Sequence, residues 1–284
     1  MLLSVIIPTY NRREALGDCL KLLTPEVQGV SRDVFEVIVT DDALADNPAD
    51  SLLQEFPWVR HNRGPQKGPA ANRNSGAKAA LGDWLIFMDD DCLPQASFLS
   101  AYIEAIRQHP EYRVFEGRTL TDRPQQRMDE EAPHNDKGGY LWSCNFLVEK
   151  KTFSDMGGFC ELYPYACMED VDFREQLIIR NLGFLFVPEA TVLHPWRPIS
   201  PDAKYLKIRL VSHEVFLDRY PHLRPSFGKV FWTNCREWVR LLFVDGPSLK
   251  YRGFWRFLAR HMTATLLQFL IWSGLSRTTK SPAS

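Results

Sequence analysis

The sequence predicts an α/β fold: a Rossmann-like, mostly parallel sheet with helices on both faces, continued by a C-terminal helical extension. Three observations predict it. Short apolar, β-branched runs alternate with segments carrying leucine or alanine at helical spacing. The runs are continuously apolar, as strands buried on both faces are. The first three end in polar or acidic residues, at the strand ends where open α/β sheets place a ligand.

Leu3 to Ile7 reads as the first strand, stopped by Pro8. Leu16, Leu20 and Leu23 then mark a helix over 13–23. Phe35 to Thr40 is the second strand, followed by Asp41-Asp42 and a short helix over 51–56. The Gly/Pro-rich stretch Asn62 to Pro69 leads into an alanine-rich helix over 70–81. Trp84 to Met88 is the third strand, and Asp89-Asp90-Asp91 follows it. Phe98, Tyr102 and Ile106 mark a helix over 96–108. Residues 121–139 read as a mobile loop and Leu141 to Val148 as a strand. Cys167 to Asn181 is a helix, acidic at its start, and Phe184 to Val187 a short strand. These elements make one domain over 1–200, and helices rich in bases and aromatics make a second over 201–284.

A 284-residue chain that is 45% hydrophobic can bury a sizeable core. Its six cysteines form no CxxC pair, which argues for reduced thiols, a cytoplasmic setting and no zinc or disulfide framework. Met1-Leu2-Leu3 runs directly into strand pattern, so no signal peptide is expected. Charge is divided unevenly. Residues 1–195 hold 19 Lys/Arg and 30 Asp/Glu, whereas residues 196–284 hold 15 and 5. Such asymmetry points to a partner of opposite charge for the extension.

Three adjacent carboxylates after a buried strand repel one another unless something offsets the charge. If extended geometry continues past Met88, Asp89 and Asp91 share a side and Asp90 faces the other. Two carboxylates on one side can share a hard cation, and Mg²⁺ or Mn²⁺ favours such oxygen ligands. An exposed acidic turn is the plainer reading. Asp41 and Asp42 can accept hydrogen bonds from a base or ribose, or serve as turn residues. Tyr10 can stack on a base or be partly buried, and Asn11-Arg12 can equally open the following helix.

Four blocks in order carry a resemblance: Ser4 to Arg12, Glu36 to Asp42, Gly68 to Gly76 and Leu85 to Asp91. From residue 4 to about 195 the chain resembles family 2 glycosyltransferases of the GT-A fold. The resemblance implies an inverting transferase that uses a nucleotide-activated sugar, UDP-sugar favoured, with Mg²⁺ or Mn²⁺. It places Pro8, Tyr10, Asn11, Asp41 and Asp42 along the nucleotide, with Arg73, Asn74, Asp89 and Asp90 also in the donor site. Asp91 would hold the metal, and Asp89 the ribose or the metal. His194 matches a place where some members supply a further metal ligand or phosphate contact. One departure is Ala43-Leu44 after the aspartates, where the family often has glycine or serine.

Met168-Glu169-Asp170-Val171-Asp172 is the second acidic cluster. Acidic residues favour a helix N-terminus through its dipole. Asp170, Phe173 and Leu177 also share one helical face. The resemblance reads Glu169-Asp170 as the family's Glu-Asp motif, with the aspartate as catalytic base and Glu169 beside it. A base there answers a chemical need, since an acceptor hydroxyl must lose its proton as it attacks. Trp142 and Asn145 match the region lining the sugar and acceptor, although Trp142 can as well pack in the core. Gly157-Gly158-Phe159 matches a turn that shapes the acceptor loop.

The extension interleaves bases with aromatics and carries no nucleic-acid motif, so nucleic acid is not an expected partner. An anionic membrane surface is, as is a glycan or lipid-linked acceptor. The uncharged stretch 262–276 is too short for a comfortable span, which suggests peripheral placement on the inner face of a membrane. Two rival functions remain. A sugar nucleotidyltransferase would want a Gly-rich phosphate loop near the first strand, and Pro8 to Arg12 offers none. A non-catalytic nucleotide- or carbohydrate-binding protein of the same fold would not need both acidic clusters.

Overall fold

In the computed structural model an eight-stranded sheet organises the first two thirds of the chain, with strand order β3-β2-β1-β4-β8-β6-β9-β5. The structure describes residues 2–43, 52, 54–163, 166–200 and 202–272. The strands are β1 (Leu3–Thr9), β2 (Phe35–Asp41), β3 (Arg60–Arg63), β4 (Trp84–Met88), β5 (Leu93–Pro94), β6 (Val114–Thr121), β8 (Asn145–Glu149) and β9 (Leu185–His194). Two further short strands, β7 (Glu130–Glu131) and β10 (Arg197–Pro198), pair separately. β1 runs parallel to β2 and β4, β2 to β3, and β6 to β9. β8 runs antiparallel to both β4 and β6, and β5 antiparallel to β9. The sheet is therefore mixed, with a parallel half built on β1.

Side-chain alternation divides the core into two layers. Val5, Ile7, Val37, Val39, Ile86 and Met88 face one way. They pack on α1 (Arg13–Lys21) through Leu16 and Leu20, and on α3 (Phe98–Gln108) through Phe98 and Tyr102. Ile6, Ile38, Leu85 and Phe87 face the other way. Ala70 and Ala77 of α2 (Pro69–Ala79) and Phe173 and Leu177 of α4 (Glu169–Ile179) cover that side. Coverage of both faces explains why these strands are apolar without a polar beat.

The boundaries differ from the sequence reading in instructive places. Pro8 does not stop β1, which continues to Thr9 paired with Asp41. Pairing to β4 ends at Ile6, so the missing N–H of Pro8 falls beyond that ladder. The strand expected from Leu141 begins only at Asn145, and that expected over 184–187 extends to His194. Of the helix expected over 51–56, Leu52 is helical and residues 51 and 53 lie outside the described residues. Residues 273–276 of the uncharged stretch, and Leu44, also lie outside them.

The chain falls into two compact units. One comprises Met1–Arg123 with Ala132–Pro195, the other Pro124–Glu131 with Trp196–Ser284. The polar stretch read as a loop thus contributes to both. In the first unit Asn135 exchanges backbone hydrogen bonds with Thr119, at 2.7 and 3.0 Å. In the second, β7 pairs with β10, and Glu131 accepts from Arg260 at 2.8 Å. The second unit otherwise consists mainly of α5 (Ala203–Arg219), α6 (Phe227–Arg240) and α7 (Phe254–Trp272).

Candidate active site

Strand register brings distant residues to one edge of the first unit. Thr9 lies opposite Asp41 across the β1–β2 pair, and β4 ends beside them, just before Asp89. Because β8 is antiparallel to β4, its first residue, Asn145, pairs with Met88, which delivers Trp142 and Ser143 to the same edge. β5 then runs antiparallel to β9 with Leu93 opposite Leu193, and this sets His194 against Cys92 and Asp91.

The three aspartates part company, because the chain turns after Met88 instead of continuing extended. Asp90 is buried, accepting from Thr9 Oγ1 at 2.7 Å and Arg12 Nη1 at 3.0 Å. Both its oxygens are engaged inside the fold, so Asp90 braces the turn. Burial pushes its carboxyl up, and Arg12 and Thr9 oppose that shift. Asp91 accepts from Arg12 Nη1 at 3.2 Å and has His194 Nε2 3.5 Å away. Asp89 accepts from Arg73 Nη2 at 2.6 Å.

Arg73 is the joint of the site. It projects from α2, buried, and its other guanidinium nitrogen donates to Glu169 Oε1 at 3.0 Å. One fork therefore ties the aspartate turn to the N-terminus of α4. Burial works against the charge on Arg73, but Asp89 and Glu169 outweigh it and hold the guanidinium more firmly protonated. Glu169 is buried, and burial and Asp170 push its carboxyl up to about 7 against the pull of Arg73.

That shift has a sign. A carboxyl raised from 4.5 to about 7 contributes stability that is present below pH 4.5 and is lost as pH rises through 7. Glu169→Gln should flatten this dependence, so that the variant gains on the parent by on the order of 3 kcal/mol toward pH 8. Urea unfolding of both forms without added metal, at several pH values, measures it.

Asp170 is only partly buried. Its Oδ2 accepts from the Ser143 N–H at 3.1 Å and its Oδ1 from the Val171 N–H at 2.8 Å. Burial raises its pKa against these two bonds. It occupies the first turn of α4, yet the inward face of that helix is formed by Glu169, Asp172, Phe173 and Leu177. Asp172, fully buried, accepts from Tyr163 Oη at 2.8 Å. Asp170 is thus a carboxylate held in place by the backbone and still reachable.

Ser143 owes its place to a residue the sequence did not flag. Glu116 of β6 is fully buried, and its carboxylate accepts from Asn135 Nδ2 at 2.8 Å. It also accepts from the backbone N–H groups of Gly139, Tyr140 and Leu141. This fastens the segment that leads into Trp142 and Ser143. Trp142 stacks on Tyr140 with ring centroids 4.6 Å apart and also packs against the core, while Tyr140 is exposed.

Other expected site residues divide between open and internal positions. Tyr10 is exposed and Asn11 beside it has a left-handed backbone (φ 55°), so both stand free of the core, and Pro8 is half-buried. Asp41 Oδ1 accepts from the Ala43 N–H at 2.8 Å, an Asx turn closing β2. Asp42 accepts from the Gln66 and Gly68 N–H groups at 2.9 and 3.2 Å, and burial raises its pKa. A side chain at Gly64 would collide with Asp42 and Asn72, so glycine there lets the 64–68 loop fold over the aspartate.

Two expected site residues have their side chains engaged inside the fold. Asn74 binds the backbone of Phe159 in both directions at 2.9 Å and Glu161 at 2.8 Å. It therefore latches the Gly157-Gly158-Phe159 turn; Gly158 sits at φ +74° with no room for a Cβ beside Asn74. Asn145 is buried, accepting from Tyr102 Oη at 2.7 Å and donating to the carbonyls of Arg118 and Ala190. Its amide is engaged inside the sheet. Arg12 and Asn72 went unflagged; Asn72 donates to the carbonyls of Thr40 and Thr9, stitching the ends of β2 and β1.

The residues present suit a hard divalent cation. Ligand atoms of Asp91, Cys92 and His194 lie within 4.8 Å of one another. His194 Nδ1 faces the Pro195 carbonyl at 3.0 Å and so must be the donor there. His194 Nε2 stands 3.5 Å from the Asp91 carboxylate, so an imidazole nitrogen and a carboxylate oxygen converge on one point where a cation would be held. Cys92 Sγ donates to the Cys144 carbonyl, and a thiol is a poor ligand for Mg²⁺ or Mn²⁺. Asp89 lies outside this cluster, with Arg73.

Comparison with known proteins is consistent across sequence and fold. Residues 4–154 match the family model described as Glycosyl transferase family 2. An uncharacterized glycosyltransferase of Haemophilus influenzae is 27% identical over 191 residues, 62% of each chain. The chain thus spans about three fifths of that relative's length. Glycosyltransferase AglE of Haloferax volcanii is 25% identical over 248 residues, 81% of this chain and 79% of that one. The crystal structure of S. aureus TarS 1-349 in complex with UDP is similar in fold. Its TM-score is 0.56 at 19% identity, covering 96% of this chain and 92% of that one.

Proposed function

The chain belongs to glycosyl transferase family 2, and from that premise we propose that it transfers a sugar, with inversion, from a nucleotide-diphosphate donor to a hydroxyl of a glycan or lipid-linked acceptor. The observation that carries this is the Arg73 fork, which holds Asp89 and Glu169 at 2.6 and 3.0 Å and so makes one site of two acidic clusters. A binding protein would need only the first cluster.

Each residue has a task in this reading. Tyr10, Asp41 and Asp42 surround the nucleoside, with Tyr10 exposed for stacking. Asp91 and His194 hold Mg²⁺ or Mn²⁺, which when bound supplies Lewis-acid stabilisation of the departing diphosphate. Arg73 and Asp89 keep the turn in register with α4. Asp170 accepts the proton of the acceptor hydroxyl as it attacks the anomeric carbon, its carboxylate aimed by the Ser143 and Val171 N–H groups. Tyr140 and Trp142, stacked and adjacent to Ser143, offer an aromatic surface for the acceptor.

A uridine donor is favoured because the TarS neighbours carry UDP and UDP-GlcNAc. A lipid-linked or polymeric acceptor is supported by two relatives. One is a GalNAc(5)-diNAcBac-PP-undecaprenol beta-1,3-glucosyltransferase of Campylobacter jejuni, 26% identical over 180 residues. The other is a poly(ribitol-phosphate) beta-glucosyltransferase of Bacillus spizizenii, 32% identical over 96 residues.

A panel of nucleotide sugars with Mn²⁺ tests the proposal by the product released. Nucleoside diphosphate is expected; free inorganic diphosphate would indicate nucleotidyl transfer instead. In the same assay Asp91→Asn and His194→Gln should each raise the Mn²⁺ concentration needed for half-maximal rate by roughly 10–100-fold, as losses around a metal do. An unaltered metal requirement in both would remove the pair from this role.

A further inference from the structure

The second unit carries two exposed apolar stripes. On α7, Trp255, Ala259, Met262, Leu266 and Phe269 recur at i, i+4, i+7, i+11 and i+14, all exposed. They form one line about 21 Å long at 1.5 Å per residue. Trp255 is 78% exposed, more than any other large apolar side chain described. The other side of the helix is occupied: Phe257 stacks on His261, which meets Trp238 of α6 edge-on at 4.7 Å. The second stripe begins on α6 with Trp232 and Val239 and continues to Phe243 in the π-helical segment Leu241–Asp245 that follows, all exposed.

Scattered apolar residues on a surface need no explanation, but aligned tryptophan and phenylalanine side chains do. Bases surround them. Arg236 and Arg240 flank the α6 stripe, and Lys250, Arg252 and Arg256 fringe the N-terminal end of the α7 stripe, all exposed. Between residues 224 and 260 there are eight Lys/Arg against Glu237 and Asp245. A second copy of the chain would bring this positive rim against itself. Among the described residues no helix is long and apolar enough to cross a membrane.

The geometry points to an anionic lipid surface as the occupant. Trp232, Phe243, Trp255, Met262, Leu266 and Phe269 enter the headgroup–acyl boundary, and the bases pair with lipid phosphates. The helices lie on the membrane and do not span it. This needs neither donor nor metal, so it stands or falls apart from the transfer chemistry.

Flotation of the full chain tests it, on vesicles of phosphatidylcholine alone and of phosphatidylcholine mixed with phosphatidylglycerol. Binding should require phosphatidylglycerol and weaken as salt rises. Trp255→Ser with Phe269→Ser should reduce partitioning on the order of tenfold or more. Arg252→Ala with Arg256→Ala should reduce it about fivefold for each base removed. Unchanged thermal melts would show that these exposed substitutions leave the fold intact. No binding to mixed vesicles, or binding that the variants do not alter, overturns the proposal. So does a dimer in sedimentation that Trp255→Ser dissociates, since the stripe would then belong to a second copy.

Discussion

Arg73→Met is expected to lower stability by about 3–5 kcal/mol, the usual consequence of removing one partner from a buried ion pair. Methionine fills much of the same volume, so the loss reports charge and not a cavity. Two carboxylates, Asp89 and Glu169, would face each other without the guanidinium that now takes both. The midpoint should fall by on the order of 10 °C. Arg73→Lys keeps the charge but has no fork with which to hold two carboxylates at once, so it should fall between. Adding Glu169→Gln to Arg73→Met should recover part of the loss toward alkaline pH, where the stranded carboxyl would otherwise ionise without a partner. Denaturant melts of the three variants measure the series. Equal stability of Arg73→Met and the parent would show that the bridge is incidental.

Asp170→Asn is expected to reduce kcat by 10²–10⁴-fold while leaving donor affinity nearly as it was. Asparagine keeps the shape and its one oxygen can still accept from the Ser143 N–H, giving up the Val171 bond, while the ability to take a proton is lost. The pH profile adds an independent check. Burial raises the Asp170 carboxyl. A base works ionised, so rate is lost as pH falls through the raised value, and the acid limb of kcat/KM should sit above the ordinary aspartate range. Glu169 and Asp170 are neighbours, so that limb belongs to the pair. In Asp170→Asn it should shift or vanish. Unchanged turnover in the variant removes Asp170 from its role.

The parallel half of the fold was legible because its signal is local. β4 is an unbroken apolar run, and β1 and β2 are broken only by Ser4 and Glu36 before their polar ends; burial on both faces leaves little else for such runs to be. The aspartate turn and the acidic start of α4 were legible for the same reason: like charges crowd in short stretches. What could not be read depends on pairing between distant segments. Asp90 looked equivalent to its neighbours until the turn after Met88 aimed it at Thr9 and Arg12. Asn74 follows Arg73 directly but lies about 100° further round its helix, against the Gly157-Gly158-Phe159 turn. Asn145 looked accessible as part of a polar stretch, whereas β8 pairing carries it into the sheet.

Glu116 shows the limit most sharply. A single glutamate inside Val114–Thr121 carries no pattern of its own. Its importance arises from four N–H and amide donors 19 to 25 residues further on. The antiparallel β8 was also misplaced by four residues at its start, because Leu141 and Cys144 are buried outside any strand and so imitate strand residues. His194 could be suspected but not placed, since its partnership with Asp91 needs the β5–β9 register.

The most direct measurement is a crystal grown with Mn²⁺ and UDP and recorded at a wavelength that reveals manganese. An anomalous peak held by both the Asp91 carboxylate and His194 Nε2 is expected. Manganese seated elsewhere, or UDP bound with that pair untouched, would contradict it.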